Sequence, residues 1–554
     1  MIRRNTQLAW MALPLIGWLA ACSPDLECTG DWCGTVVVVS GAEPEVLLPP
    51  LAQFDTHIAL ADLIFWRLAD VKPRATTVGD SGFVPRLADH WTLEDSLTIS
   101  FHLNPAAKWH DGQPVRATDV VFTFGVYRSP EINALARERI GKIASVTARD
   151  SLTAVFRFRE HYPEQFFDAV YHMRIIPEHL LKDIPYAELA SAPFARSPIG
   201  NGPFMFRKWY AGRSIELAAD STFFAGRPGL RRLIWRFSSD PQTMVSQLIA
   251  GEVDFLNVIQ TPEDVPQVAK RPHLRTQSYL LGVYTYIAFN FRDPDDPNRP
   301  HPLFADRGLR RAITKAVDRE SIVKAVLDET AEVPVGPLTR AQWIWSDDIE
   351  GIGFDRAAAR RELQRMGWQD TDGDGILDRH GRSLSFELLV VGTSTGRKRS
   401  AVIIQDQLKQ VGIAMSITEL EPNSLGNRVT KGKFDTYFGG WQQDPSPASI
   451  EETWTSTAIG GPNYGGYSNP SVDRMVHNAL STFNRDSARV EWQQAIEMIN
   501  ADAPAIWVYA PTPVAGLHDR LENVSFAPDE WWKTIWQWRV DPSRVIDRDL
   551  IAAN

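Results

Sequence analysis

Gly392, Thr393, Ser394, Thr395 and Gly396 have the spacing of a nucleophile elbow, where a serine hydroxyl is exposed on a sharp strand-to-helix turn. The run follows an apolar stretch, Leu384 to Val391, and precedes a helical one, Ser400 to Val411, closed by Gly412. A serine hydrolase would need an acid and then a histidine downstream. Only His477 and His518 are available, and no HGGG-type oxyanion segment is evident. Hydrolysis by Ser394 therefore stands as the alternative of another class, and the chain is expected not to be an enzyme. Asp370, Asp372, Asp374 and Gly375 reproduce the first half of a calcium loop, in which alternating carboxylates wrap a hard cation. Asp378 fits the ninth position, but Gly381 stands at the twelfth in place of a bidentate glutamate. A solvated turn explains the cluster better, and neither a metal nor a cofactor is expected.

The elements that would position such groups alternate in type. Val36 to Val39 is a short β-branched run suited to a buried strand, and Leu97, Ile99, Phe101 and Leu103 alternate as a half-buried strand does. Asp119 opens an amphipathic stretch. Ser214 to Ala218 and Leu233 to Phe237 read as strands, and Met244 to Ala250 as a helix ended by Gly251. Gly308 to Val326 has near-helical apolar spacing, and Ala357 to Met366 is a helix closed by Gly367. Ile413 to Ile417 is a further strand. This order predicts mixed α/β lobes with partly parallel sheets.

The chain has 554 residues, too many for one ordinary domain, and its 44% hydrophobic content is that of a globular protein. A net charge of −10 without a long basic run argues against nucleic acid as a partner. Nineteen tryptophans suit pockets that grip varied ligands, although most such rings serve as core. Residues 1–21 have the basic start and apolar run of a signal peptide, too short to cross a bilayer. Leu19, Ala20, Ala21 and Cys22 resemble a lipobox, which predicts lipid attachment at Cys22 and a protein anchored to the membrane rather than spanning it. Cys28 and Cys33, in the linker 22–34, are close enough for a disulfide in an oxidising compartment.

A longer pattern connects these pieces. Pro85, Leu87, Ala88 and Trp91, then Phe101, His102 and Leu103, then Lys108 to Gly112, Pro114, Ala117 and Asp119 to Val121 form one block. Ile199, Gly200, Gly202 to Phe204, Gly251 with Asp254, Phe289 with Asn290, Arg310 with Asp318, Phe434 with Asp435, and Asn463 to Pro470 follow in order. These residues resemble the extracytoplasmic solute-binding proteins of peptide and nickel importers, often called family 5, over nearly the whole mature chain. His102 and His110 fall inside this pattern and read as structural rather than as metal ligands.

The resemblance implies a two-lobed periplasmic-binding-protein-like fold (type II, cluster C) with an extra subdomain in lobe one. It places lobe one at 35–280, with the insertion at about 58–195, lobe two at 281–507, and the return to lobe one at 508–554. It also implies a monomeric receptor that captures a peptide between closing lobes and delivers it to the permease subunits of an ABC importer. Asp444, just after Trp441, takes the position of the carboxylate that meets a peptide's ammonium. Trp441, Trp454, Asn463, Tyr464 and Tyr467 are the neighbouring binding candidates. A strict dipeptide receptor would carry an arginine after Leu384 to Val391. Here Val391 or Gly392 stands there, with Arg397 and Arg399 nearby, which favours oligopeptides. A nickel chelate, haem or oligosaccharide is the alternative ligand.

Overall fold

The computed structural model describes residues 34–549; Cys22, Cys28 and Cys33 lie outside the described residues. Two large sheets form the cores of two lobes. The first has the strand order Leu274–Ser278, Val514–His518, Phe255–Leu256, Thr35–Ser40, Arg232–Phe237, Ser214–Ala219, Phe204–Tyr210. Thr35–Ser40 runs parallel to both of its neighbours, and the other pairs are antiparallel. Its valines explain that central place. Val36 and Val38 pack into one core with Trp235 and Phe255, while Val37 and Val39 pack on the other face with Met244 and Leu248.

Charge also fastens this strand. Asp254 accepts the Val37 N–H at 2.8 Å and meets Arg520 Nε at 2.9 Å, with both side chains fully buried. Arg520 also donates to the Thr35 carbonyl at 2.7 Å and pairs with Asp549, whose other oxygen accepts the Thr35 N–H at 2.6 Å. The two buried carboxylates are thus hydrogen-bonded and paired, the condition under which buried charge is tolerated.

Lobe two has the order Ala331–Glu332, Ala505–Pro511, Val283–Phe289, Thr436–Gln442, Ser385–Val391, Ala414–Leu420, the last three being mutually parallel. The helix Thr395–Lys409 connects two of these and buries Ala401, Ile404 and Leu408 on one sheet face. Tyr284, Tyr286, Trp454, Trp492 and Trp507 fill the other. A third sheet, Ala88–Asp95, Thr98–Leu103, Thr153–Phe158, Ile143–Ala148, is antiparallel and lies between the first two lobe-one strands in sequence.

The structure departs from the sequence reading at several elements. Leu97 is in the hairpin turn and exposed, since its N–H is taken by Asp95; only Ile99, Phe101 and Leu103 form the buried face. The run Gly308 to Val326 is two helices, Arg307–Ala316 and Arg319–Val326, because the Asp318 side chain accepts the Ser321 N–H and starts a new helix. The helix expected from Ser400 begins at Thr395, capped by Ser394. The last strand of lobe two continues to Pro511, past the boundary at 507, since Val508 and Ala510 are still buried in that lobe.

Candidate functional site

Two short crossings join the lobes. Residues 279–282 lead from Leu274–Ser278 to Val283–Phe289, and residues 512–513 lead back from Ala505–Pro511 to Val514–His518. They lie side by side, the Tyr279 N–H donating to the Pro513 carbonyl at 3.1 Å. Between the lobes is a cavity of about 360 Å³. Asp55, Tyr127, Arg139, Tyr171, Arg174 and Glu530 line it from lobe one, and Gln442, Gln443 and Asp444 from lobe two.

At and behind the lobe-one wall, four carboxylates, Asp62, Asp70, Asp529 and Glu530, stand against four cations, Arg67, Arg86, Arg174 and Lys533, of which Asp529, Glu530 and Arg174 border the cavity itself. Arg67 grips Glu530 through both terminal nitrogens, and Arg174 reaches it at 3.0 Å. Burial alone would raise the Glu530 carboxyl, but Arg67, Lys533 and Arg174 outweigh it and hold it well below the usual range. These charges are spent on each other and make a rigid wall. Asp55 differs. Burial raises its carboxyl, and its side-chain hydrogen bond is to Gln442 of the other lobe.

Asp444 stands two residues beyond the strand Thr436–Gln442 and faces this cavity. One oxygen accepts the Ser446 N–H at 2.9 Å, an Asx turn ahead of Pro447, and the other lies 3.6 Å from Arg139. Gln443 and Gln342 complete the corner, and sequence reasoning missed both. Each amide nitrogen is fixed on a carbonyl, Gln443 on Pro337 at 3.1 Å and Gln342 on Asp444 at 2.5 Å, which sets the amide orientation. Their oxygens are buried with no partner among the described residues. Both residues border a space of about 20 Å³ beside Asp444, enough for one water-sized group. The sequence signal was slight: two glutamines before Asp444, with nothing to separate surface from cleft.

A second interlobe cavity of about 530 Å³ shares Arg139 with the first. Glu138, Glu160, Glu164, Asp168, Glu451 and Glu452 line it, against Arg139, Lys142 and the imidazoles of His161 and His477 among the described residues. The lobes touch along its rim. Ser446 of lobe two donates to Glu164 of lobe one at 2.6 Å, and Arg139 meets Glu452 at 2.5 Å. Phe483 packs on the His161 ring, centroids 4.2 Å apart. Burial pushes the Glu164 carboxyl up to about 7, although Ser446 and Thr77 hydrogen-bond it.

The other candidates are dispersed. Trp441 is half-buried against the lobe-two core, its indole nitrogen without a partner among the described residues. Trp454 is buried inside that core and donates to the Tyr284 hydroxyl at 3.0 Å, so its place is packing and not the cleft. Asn463 is consumed by its own loop, donating to the Thr455 and Tyr467 carbonyls and accepting the Tyr467 N–H. The Tyr467 hydroxyl donates to Asp502 at 2.7 Å. Tyr464 lines a narrow space within lobe two together with Trp454, Asn463 and Tyr467, apart from Asp444. Arg397 reaches over the sheet from its helix to the Phe438 carbonyl at 3.4 Å, and a Cβ at Gly440 would lie 2.6 Å from it.

Ser394 caps its own helix by accepting the Arg397 N–H at 3.4 Å, and neither His477 nor His518 is among its partners. Asp370, Asp372 and Asp374 do come together, exposed, but they accept N–H groups of their own turn, while Asp378 turns to Thr371 and Ser383. His110 is structural. Its Nε2 lies 2.9 Å from the Gly202 carbonyl, and its Nδ1 accepts the Gly200 N–H.

Comparison with known proteins agrees with this architecture. Residues 82–461 match the family model described as bacterial extracellular solute-binding proteins, family 5 Middle. The oligopeptide-binding protein AppA of Bacillus subtilis (strain 168) is 31% identical over 452 residues, covering 79% of this chain and 81% of AppA. The structure of Bacillus subtilis AppA in complex with a nonapeptide matches with a TM-score of 0.75 at 28% identity, covering 92% of this chain and 99% of that one. NikZ of Campylobacter jejuni, solved with Ni(L-His), shares the fold, with a TM-score of 0.75 at 23% identity over 91% of this chain and 99% of its own. With the family model matched over most of its length and its two lobes matched by solved relatives, this chain belongs to the bacterial extracellular solute-binding proteins, family 5.

Proposed function

We propose that this protein is the substrate receptor of an ABC importer and captures oligopeptides between its lobes by their amino terminus. The observation that carries the reading is the corner formed by Asp444, Gln443 and Gln342. Asp444, Gln443 and Gln342 line a space the size of one ammonium group, and the two amide oxygens are buried without a donor among the described residues. A buried acceptor left unpaired costs about 1–3 kcal/mol, so a ligand that brings three N–H donors relieves it. The relative crystallised with a nonapeptide supports a peptide as ligand. The carboxylate excess of the second cavity favours peptides that carry a basic side chain. Attachment to the membrane through a lipid on Cys22 belongs to the same reading.

The test compares a basic oligopeptide with its N-acetylated form, following intrinsic tryptophan fluorescence and thermal unfolding. Ligand that binds only the native state raises its stability by mass action, about 2.7 kcal/mol at a hundredfold excess over Kd. The free peptide is expected to shift both signals and the acetylated one to do so only at much higher concentration. Equal binding of the two would remove the ammonium from the reading.

A further inference from the structure

We propose that Asp89, His90 and His102, on the free edge of the inserted sheet, form a binding site for one divalent transition-metal ion such as Cu(II), Ni(II) or Zn(II). His90 and His102 are direct cross-strand partners of Ala88–Asp95 and Thr98–Leu103, so their side chains leave the same face. Asp89, one residue earlier, would point to the opposite face in a regular strand. It does not, because the pairing register shifts between Ala88 and His90, a bulge that sets two residues against one and re-aims a side chain.

The donors converge as a result. The Nδ1 atoms of His90 and His102 lie 2.5 and 3.3 Å from the same oxygen of Asp89, and the two rings stack with centroids 4.6 Å apart. All three ligand atoms fall within 4.8 Å of one another. Donors bound at about 2.0–2.2 Å to one ion stand roughly 3–3.5 Å apart, a spacing the three groups reach once the rings turn out of their stack so that both Nδ1 lone pairs aim at the ion. Two imidazoles and a carboxylate suit borderline metals rather than calcium or magnesium, and Cu(II) binds such a set most tightly. With three protein ligands, coordination positions stay open to solvent. Ala88–Asp95 is the outer strand of its sheet, and none of the three residues borders either interlobe cavity.

The experiment uses the untagged protein, stripped of metal with a chelator and titrated with Cu(II) near neutral pH. Calorimetry is expected to give one ion per chain at this site, with an electron paramagnetic resonance spectrum showing two coordinated nitrogens. The double variant His90→Ala/His102→Ala is expected to bind at least roughly tenfold more weakly and to lose the nitrogen splitting. Asp89→Asn is expected to weaken binding while keeping the nitrogens. Because Asp89 and His90 are exposed, His102 is only half-buried and none of the three borders the interlobe cavities, the variants are expected to stay close to the metal-free melting temperature of the parent and to keep peptide binding. A chain that takes up no ion stoichiometrically, or a double variant with unchanged affinity and spectrum, overturns the proposal.

Discussion

At the scale of single residues, Asp444 has two tasks that a substitution can separate. One oxygen holds the Asx turn through the Ser446 N–H, and the charge is shared between Arg139 and, in the proposed complex, the ligand ammonium. Asp444→Asn keeps an oxygen for the turn and removes only the charge. It is expected to weaken binding of free-amino peptides by about 1.5–3 kcal/mol, the worth of a charge-assisted hydrogen bond, roughly tenfold to a hundredfold in Kd. The melting temperature without ligand is expected to stay close to that of the parent. A calorimetric Kd that does not move would assign Asp444 to the turn alone.

At the scale of elements, the inserted subdomain is held to lobe one by close backbone contact. His110 fixes the turn at Gly200 and Gly202, and the Asn201 and Gly202 N–H groups donate to the Ile64 carbonyl at the end of the helix Asp55–Ile64. A Cβ at Gly200 would stand 1.9 Å from that carbonyl oxygen, and one at Gly202 2.9 Å from it and 2.7 Å from the Leu63 carbonyl oxygen. Neither backbone can withdraw without breaking these hydrogen bonds. Gly200→Ala is therefore expected to cost at least 1–3 kcal/mol, the range for overpacking, read as a lower denaturant midpoint in the purified variant. An unchanged midpoint would mean that the turn relaxes freely.

At the scale of the whole molecule, Glu164 couples lobe contact to protons. It is buried where the lobes meet, between the Thr77 and Ser446 hydroxyls, and faces Asp168, Asp444 and Arg139. Burial raises its carboxyl from the ordinary 4.5 to about 7 in this conformation, so bringing the lobes together takes up a proton between those values. The contribution to closure is fully present below 4.5 and is lost as pH rises through about 7. Binding of a peptide without titratable side chains is expected to be tighter near about pH 6 than near about pH 8, and Glu164→Gln is expected to reduce that difference, leaving the part due to Glu452, which burial also raises to about 7, and to the peptide ammonium, which loses its proton near about pH 8. Fluorescence titrations at the two pH values check it. An equal pH dependence in the variant would show that Glu164 does not report closure.

The sequence by itself determined the kinds of elements and the family. A four-valine run must be buried on both faces, glycines with positive φ close the helices at Gly367 and Gly412, and blocks spread along the chain resemble one family. Those properties are local or are carried in chain order, so they are legible without coordinates. Which aromatic residues meet a ligand was not. Trp454 and Tyr467 are of the same residue types as cleft residues, yet their polar atoms are satisfied inside lobe two. Gln342 lies 102 positions from Asp444 in the chain, and Arg139 lies 313 from Glu452. The meeting of Asp89, His90 and His102 depends on a bulge that no residue pattern announces. The tertiary structure alone decides these, because a cleft between lobes is built from strand ends and loops far apart in sequence, where no periodicity records which side faces the ligand.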